Sequence, residues 1–148
     1  MKGLIINEYS RKLNDSFTLE AQESPASKET IQELQKFSSI DVPLDYLEVI
    51  QNCTNAEINV QNELYIRIWG PTDCIEMNKA HDIQKYIPNS LAIGDDEGGK
   101  ALLYGDGKEG FGLYTVDFGD LDIEEAIKIA PSLKALLIDG VGVEELLS

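Results

Sequence analysis

The chain has 148 residues, with 12 Lys and Arg against 27 Asp and Glu, for a formal net charge of −15. Such a length fits one domain that buries roughly 68–70% of its unfolded surface, so no disulfide or metal is required to hold a core. The charge makes nucleic acid and anionic membrane poor partners, since each adds like-charge repulsion, and it attracts a basic partner.

Near the N-terminus the apolar run Leu4-Ile5-Ile6 is too short for a signal peptide, and a short amphipathic segment covers Leu4 to Leu13. No run approaches the roughly 18 apolar residues that span a membrane. Phe17 to Ala21 alternates as an edge strand, a segment through which two copies could pair; the expected state is a monomer or weak homodimer. After Pro25, Ser27 offers a helix cap with Glu29 in the first turn, and Ile31, Leu34 and Phe37 give the helix a narrow apolar face. Pro43 opens a second helix with Leu44, Leu47 and Ile50 on one side. Asn52 to Asn59 reads as a polar turn.

Leu64 to Trp69 is a strand by composition, with Leu64, Ile66 and Ile68 on one face and Tyr65, Arg67 and Trp69 on the other. Trp69 is core by default, with an interface anchor as the other reading. Gly70-Pro71 stops the strand, and Thr72 caps a third helix running to about Ile87. Its apolar arc holds Ile75, Met77, Ala80, Ile83, Tyr86 and Ile87, while Asn78, His81, Asp82 and Lys85 fall opposite. From Leu91 to Phe118, three short apolar runs are separated by glycine-acid clusters, the signature of sequential antiparallel hairpins. A helix through IEEAIKIAPSLKALL would carry Pro131 in its interior at a cost of about 3 kcal/mol. A strand near Ala126 to Ala130 followed by a helix from Pro131 to Leu137 avoids that cost, and Gly140 and Gly142 act as stop signals. The fold class is α+β: one domain over residues 1–148, a twisted, mainly antiparallel sheet flanked by helices.

Two motifs tempt and fail. Gly105 to Gly110 spells GxGxxG, but a strand follows it where a dinucleotide site needs a helix, and Asp106 and Glu109 would repel phosphate. Asp117-Phe118-Gly119 spells the kinase metal-binding triplet without the lysine, glutamate and catalytic loop that a kinase needs. His81 supports no Ser/His/Asp order. Cys53 and Cys74 stand outside any metal or redox motif, which points to free thiols in the cytoplasm.

Ten carboxylates lie between Asp95 and Glu125: Asp95, Asp96, Glu97, Asp106, Glu109, Asp117, Asp120, Asp122, Glu124 and Glu125, against Lys100 and Lys108. They are compatible with a solvated face, a hard-cation site, a paired-carboxylate hydrolase or a docking face for a basic protein. The first and last are favoured, because the calcium-loop spacing is missing and no cleft is visible in a sequence.

Four stretches carry a family likeness. VPLDYLEVIQN resembles a proline-led second helix, and ELYIRIWGPTDCIEMNK a strand followed by a helix bearing an asparagine, Asn78. YIPNSLAIGDDEGG resembles a proline, strand and glycine-acid loop, and IAPSLKALL a final helix. Their order and spacing, from Ile31 to Leu137, resemble the SUKH superfamily, known also through a yeast regulator of cell-wall glucan synthesis. The chain departs at Asn55-Ala56, where many members have an Asn-Gly turn.

The resemblance implies a non-enzymatic protein-binding domain without cofactor or metal. Bacterial members are mostly immunity proteins that neutralise polymorphic toxins, often nucleases and frequently basic, in agreement with the charge; a regulatory scaffold is the alternative. Carried over are Trp69, Asn78, Gly94 and Asp95. With the acidic loops added, the expected partner-binding set is Trp69, Asn78, Gly94, Asp95, Asp96, Glu97, Tyr104, Asp117, Asp120 and Asp122.

Overall fold

Seven strands cross one sheet in chain order: β1 (Phe17–Glu23), β2 (Thr54–Val60), β3 (Leu64–Ile68), β4 (Leu91–Asp95), β5 (Lys100–Gly107), β6 (Gly110–Asp117) and β7 (Ile127–Ala130). Every ladder is antiparallel. The computed structural model describes residues 12–148, so most of the amphipathic segment expected from Leu4 lies outside the described residues. Helices α1 (Lys28–Phe37), α2 (Leu44–Asn52), α3 (Pro71–Ala80), α4 (Ile83–Tyr86), α5 (Leu133–Leu137) and α6 (Val143–Leu147) flank the sheet. The α+β reading holds.

The glycine-joined runs form β4, β5 and β6. Leu91 to Ile93, Ala101 to Tyr104 and Leu113 to Val116 are buried without a break, so both faces of these strands are covered. On one face the Tyr104 hydroxyl meets α2 and α5. On the other, the Ile123 side chain comes over Gly105. Each fully buried Leu or Ile in this layer contributes about 1.5–3 kcal/mol. The GxGxxG letters form a hairpin tip: Gly107 pairs with Gly110, leaving Lys108-Glu109 between them. Asp117-Phe118-Gly119 is a turn, in which Gly119 N donates to Asp117 Oδ1 (2.7 Å) and Asp120 N to Asp117 O (3.0 Å).

Several expectations need correction. The supposed polar turn from Asn52 to Asn59 is mostly β2, whose Ala56, Ile58 and Val60 point inward at strand spacing. Leu44 does not face the core; it is 82% exposed, and Tyr46, Val49 and Ile50 form the buried stripe of α2, followed by buried Cys53 at its C-terminal cap. Pro43 is the cap residue rather than the first helical one. Gly70, not Thr72, caps α3, and the helix does not reach Ile87. It breaks at His81-Asp82, where Asp82 takes the left-handed conformation at φ 53°. Beyond Gly140 and Gly142 the chain resumes as α6.

The joint between β3 and β4 shapes everything near it. These strands share the pairs Arg67 with Asp95 and Ile68 with Gly94, and the bond from Trp69 N to Ile93 O (2.9 Å) closes the joint. Glycine is required at 94 because a Cβ there would run into the Arg67 carbonyl. Past this point β3 turns away and α3 fills the gap, with Asn78 fully buried rather than on a polar arc. Its Nδ2 donates to Ala92 O (2.8 Å) and Cys74 O (2.7 Å), and its Oδ1 accepts from Ala92 N (3.1 Å) and Gln84 Nε2 (2.9 Å). A side-chain amide thus takes the place of a missing strand neighbour.

Candidate functional site

Where β4 ends and β5 begins, the chain turns through Asp96 to Gly99 and crowds carboxylates against fixed donors. Asp95 Oδ2 accepts from Trp69 Nε1 (2.8 Å), and Oδ1 accepts from Glu97 N (2.8 Å). Asp96 Oδ1 accepts from Gly98 N (2.8 Å) and Lys100 N (3.0 Å). These bonds use the acids to build the turn, which places Glu97 at φ 56° and Gly99 at φ 108°.

Arg67 stands beside the turn and reaches two glutamates, Glu57 at 2.7 Å and Glu97 at 3.4 Å. The Arg67 hydrogen bond holds the Glu57 carboxyl below the ordinary glutamate range. Partial burial, and then the neighbouring Glu57 carboxyl, push Glu97 above it. A groove of about 390 Å³ continues from Arg67 past Glu57, Asn55, Glu23 and Asp73. On the other flank Lys100 pairs in register with Asp117, and Phe118 N donates to Gly99 O (2.9 Å).

The turn end of β4 therefore gathers Asp95, Asp96, Glu97, Asp117 and Asp120, while the groove from Arg67 leads past Glu57 to Glu23 and Asp73, toward the other ends of β1 and β3. The β5–β6 hairpin carries Asp106 and Glu109 to the opposite end. Asp122, exposed, lies on the β6–β7 connection, where its Oδ1 accepts from Glu124 N (2.9 Å). Glu124 in turn meets Lys108 at 3.6 Å on the open surface, a pair worth about 0–1 kcal/mol.

Residues 25–139 match the model of the SMI1 / KNR4 family (SUKH-1). The chain belongs to this family. The match begins just ahead of α1 and ends after α5, taking in every stretch on which the resemblance rested. No curated protein matches the chain.

In this SUKH-1 domain the expected site residues fall into two sets. Trp69, Asn78 and Tyr104 are at most 2% exposed, and Gly94 is buried with them. They lie beneath the surface: Trp69 orients Asp95, Gly94 admits the β3–β4 crossing, and Asn78 and Tyr104 hold the elements behind it. Asp95 and Asp96 are half-buried, while Glu97, Asp117, Asp120 and Asp122 are exposed. Sequence reading missed Glu57, because β2 was read as a turn, and it left Arg67 without a partner. The alternation of Ala56, Ile58 and Val60 was the signal available.

Among the described residues, no group of three or more His, Cys, Asp or Glu side chains is arranged to hold a metal ion. No described helix is long and apolar enough to cross a membrane. Cys53 and Cys74 are free and buried, and burial pushes their thiols up to about 11 and about 12.

Proposed function

We propose that this SUKH-1 chain is an immunity-type protein that acts by binding, docking a basic toxin domain against the acidic end of its sheet. The observation that carries the reading is the rim from Asp95 to Glu97, where Trp69 and backbone amides set the carboxylates of Asp95 and Asp96 in place and Arg67 lies 3.4 Å from that of Glu97. A preset rim loses little side-chain freedom on docking. In a chain of net charge −15 it also steers a basic partner, raising association by about 10–10³-fold at low salt. Neutralisation follows by covering the toxin's own site, so the chain needs no catalytic group or cofactor. Buried free thiols suit a cytoplasmic protein. The docked species is a monomer or a weak homodimer.

A regulatory scaffold would use the same surface for a partner that is not a toxin, and the identity of the captured protein separates the two readings. The direct test is binding to a basic toxin domain encoded beside the chain's own gene. Asp117→Lys and Glu97→Lys, which leave the Asp95 and Asp96 turn bonds intact, are expected to slow association at low salt and to lose that effect at high salt. Unchanged association at low salt would remove the acidic end from the mechanism. Capture of a housekeeping protein instead of the toxin would favour the scaffold.

A further inference from the structure

Beside the acidic end an open cleft of about 520 Å³ is lined by His81, Asp82, Tyr86, Phe118, Asp120 and Leu121. That volume lies within the roughly 300–1,000 Å³ of ligand clefts. Its two sides come from unrelated parts of the chain: the break between α3 and α4, and the connection after β6. His81 and Phe118 form one wall, with ring centroids 4.2 Å apart and planes 33° from parallel. Tyr86 is 54% exposed. Asp82 precedes α4 without a side-chain capping bond. Unlike Asp95 and Asp96, neither Asp82 nor Asp120 spends its carboxylate on a hydrogen bond or ion pair among the described residues.

We infer that this cleft receives an arginine side chain from the docked partner protein; the inference rests on the docking reading above and names a contact within it. Aromatic faces beside uncommitted carboxylates match a guanidinium, which is planar, weakly hydrated, stacks on rings and bonds carboxylates through two N–H groups. A lysine ammonium is more strongly hydrated and cannot use the planar match. The cleft is continuous with the acidic end, because Phe118 N is bonded to Gly99 O at the turn. The surrounding charge therefore delivers a basic segment to it. Lys85, whose Nζ lies 5.4 Å from the Tyr86 ring centre, is the like charge that the guest must meet.

The test uses the full chain, labelled with ¹⁵N and titrated at low salt with a short oligo-arginine peptide and with oligo-lysine of equal length. The expected result is tighter binding of the arginine peptide, with shifts centred on His81, Asp82, Tyr86, Phe118 and Asp120. Asp120→Asn and Phe118→Leu should each weaken arginine binding by about two- to fivefold, and Lys85→Ala should strengthen it. Phe118 is partly packed against the core, so Asp120→Asn and Lys85→Ala, both on the surface, decide the matter if Phe118→Leu fails to fold. Equal affinity for both peptides, with shifts spread along Asp95 to Glu97 and Asp117, overturns the cleft and leaves the acidic docking face standing. Absence of binding by either peptide overturns both.

Discussion

The Tyr104 hydroxyl lies 2.8 Å from both carboxylate oxygens of Asp45, a residue 59 positions earlier in the chain. The same hydroxyl accepts from Leu133 N (2.7 Å), while Asp45 accepts from Tyr46 N and Lys134 N, each at 2.9 Å. One carboxylate and one phenol thus tie β5 to the first turns of α2 and α5, where unpaired amides favour an acid. Tyr104→Phe removes the bond to a charged acceptor and strands the Leu133 amide. A loss of about 1.5–3 kcal/mol in urea unfolding is expected, and a loss below about 0.5 kcal/mol would contradict this account.

Asn78→Ala should be among the most damaging single changes in the chain. It strands the Ala92 N–H in the interior and leaves the Ala92 C=O with only the weak Cys74 thiol donor, and an unsatisfied buried group costs about 1–3 kcal/mol. Asn78→Asp keeps the acceptor but loses the donor to Ala92 O, and it buries a charge. Both variants should lower the urea midpoint by more than Tyr104→Phe does. A midpoint within error of the parent would mean that water or a shift of β3 replaces the amide.

What could be read from the sequence divides along physical lines. β4, β5 and β6 were legible because glycine-acid turns bracket their apolar runs, and α1 because Ser27 caps it, accepting from Thr30 N (3.2 Å). Pro131 correctly separated β7 from α5. β2 was hidden because Asn55 and Asn59 are turn formers by habit. Asn55 does sit at φ 48°, but its side chain is used across the sheet, accepting from Gly70 N (3.1 Å). The break after α3 has no glycine or proline to mark it, so a helical wheel drawn through to Ile87 placed Asn78 outside when it is fully buried. The acidic segment was visible, but its division between two ends of the sheet depends on strand register, which composition does not contain.

The two glutamates flanking Arg67 should give opposite pH dependences. Glu97 holds its proton to a higher pH folded than unfolded, so its contribution to stability grows as pH falls through its folded value toward the ordinary 4.5. Glu57 is the reverse: its contribution is full above 4.5 and is lost as pH falls through its depressed folded value. Glu97→Gln should therefore raise stability at neutral pH and flatten the profile down to 4.5. Glu57→Gln should lower stability at neutral pH and remove part of the acid loss below 4.5. Thermal unfolding across about pH 3 to 7 reads both, and identical profiles for the two variants would refute the assignment.

The thiols should be silent in the native state. Cys74 is fully buried and donates to Ala92 O (3.2 Å), and the burial that raises both thiols leaves almost no thiolate at neutral pH. An aromatic disulfide reagent should label neither cysteine in the folded chain and both in denaturant. Fast native labelling would show that the helices over the sheet open readily.

The sheet's strand order also bears on how the chain is made. Because β1 to β7 lie side by side in the order of synthesis, each new strand finds its neighbour already present on the previous one. The assembly can extend in one direction as the chain leaves the ribosome. β1 must hold its place while α1 and α2 emerge before β2, and β3 while α3 and α4 emerge before β4. Local closure of this kind lowers contact order and speeds folding. It also shortens the time during which open strand edges are exposed to other chains.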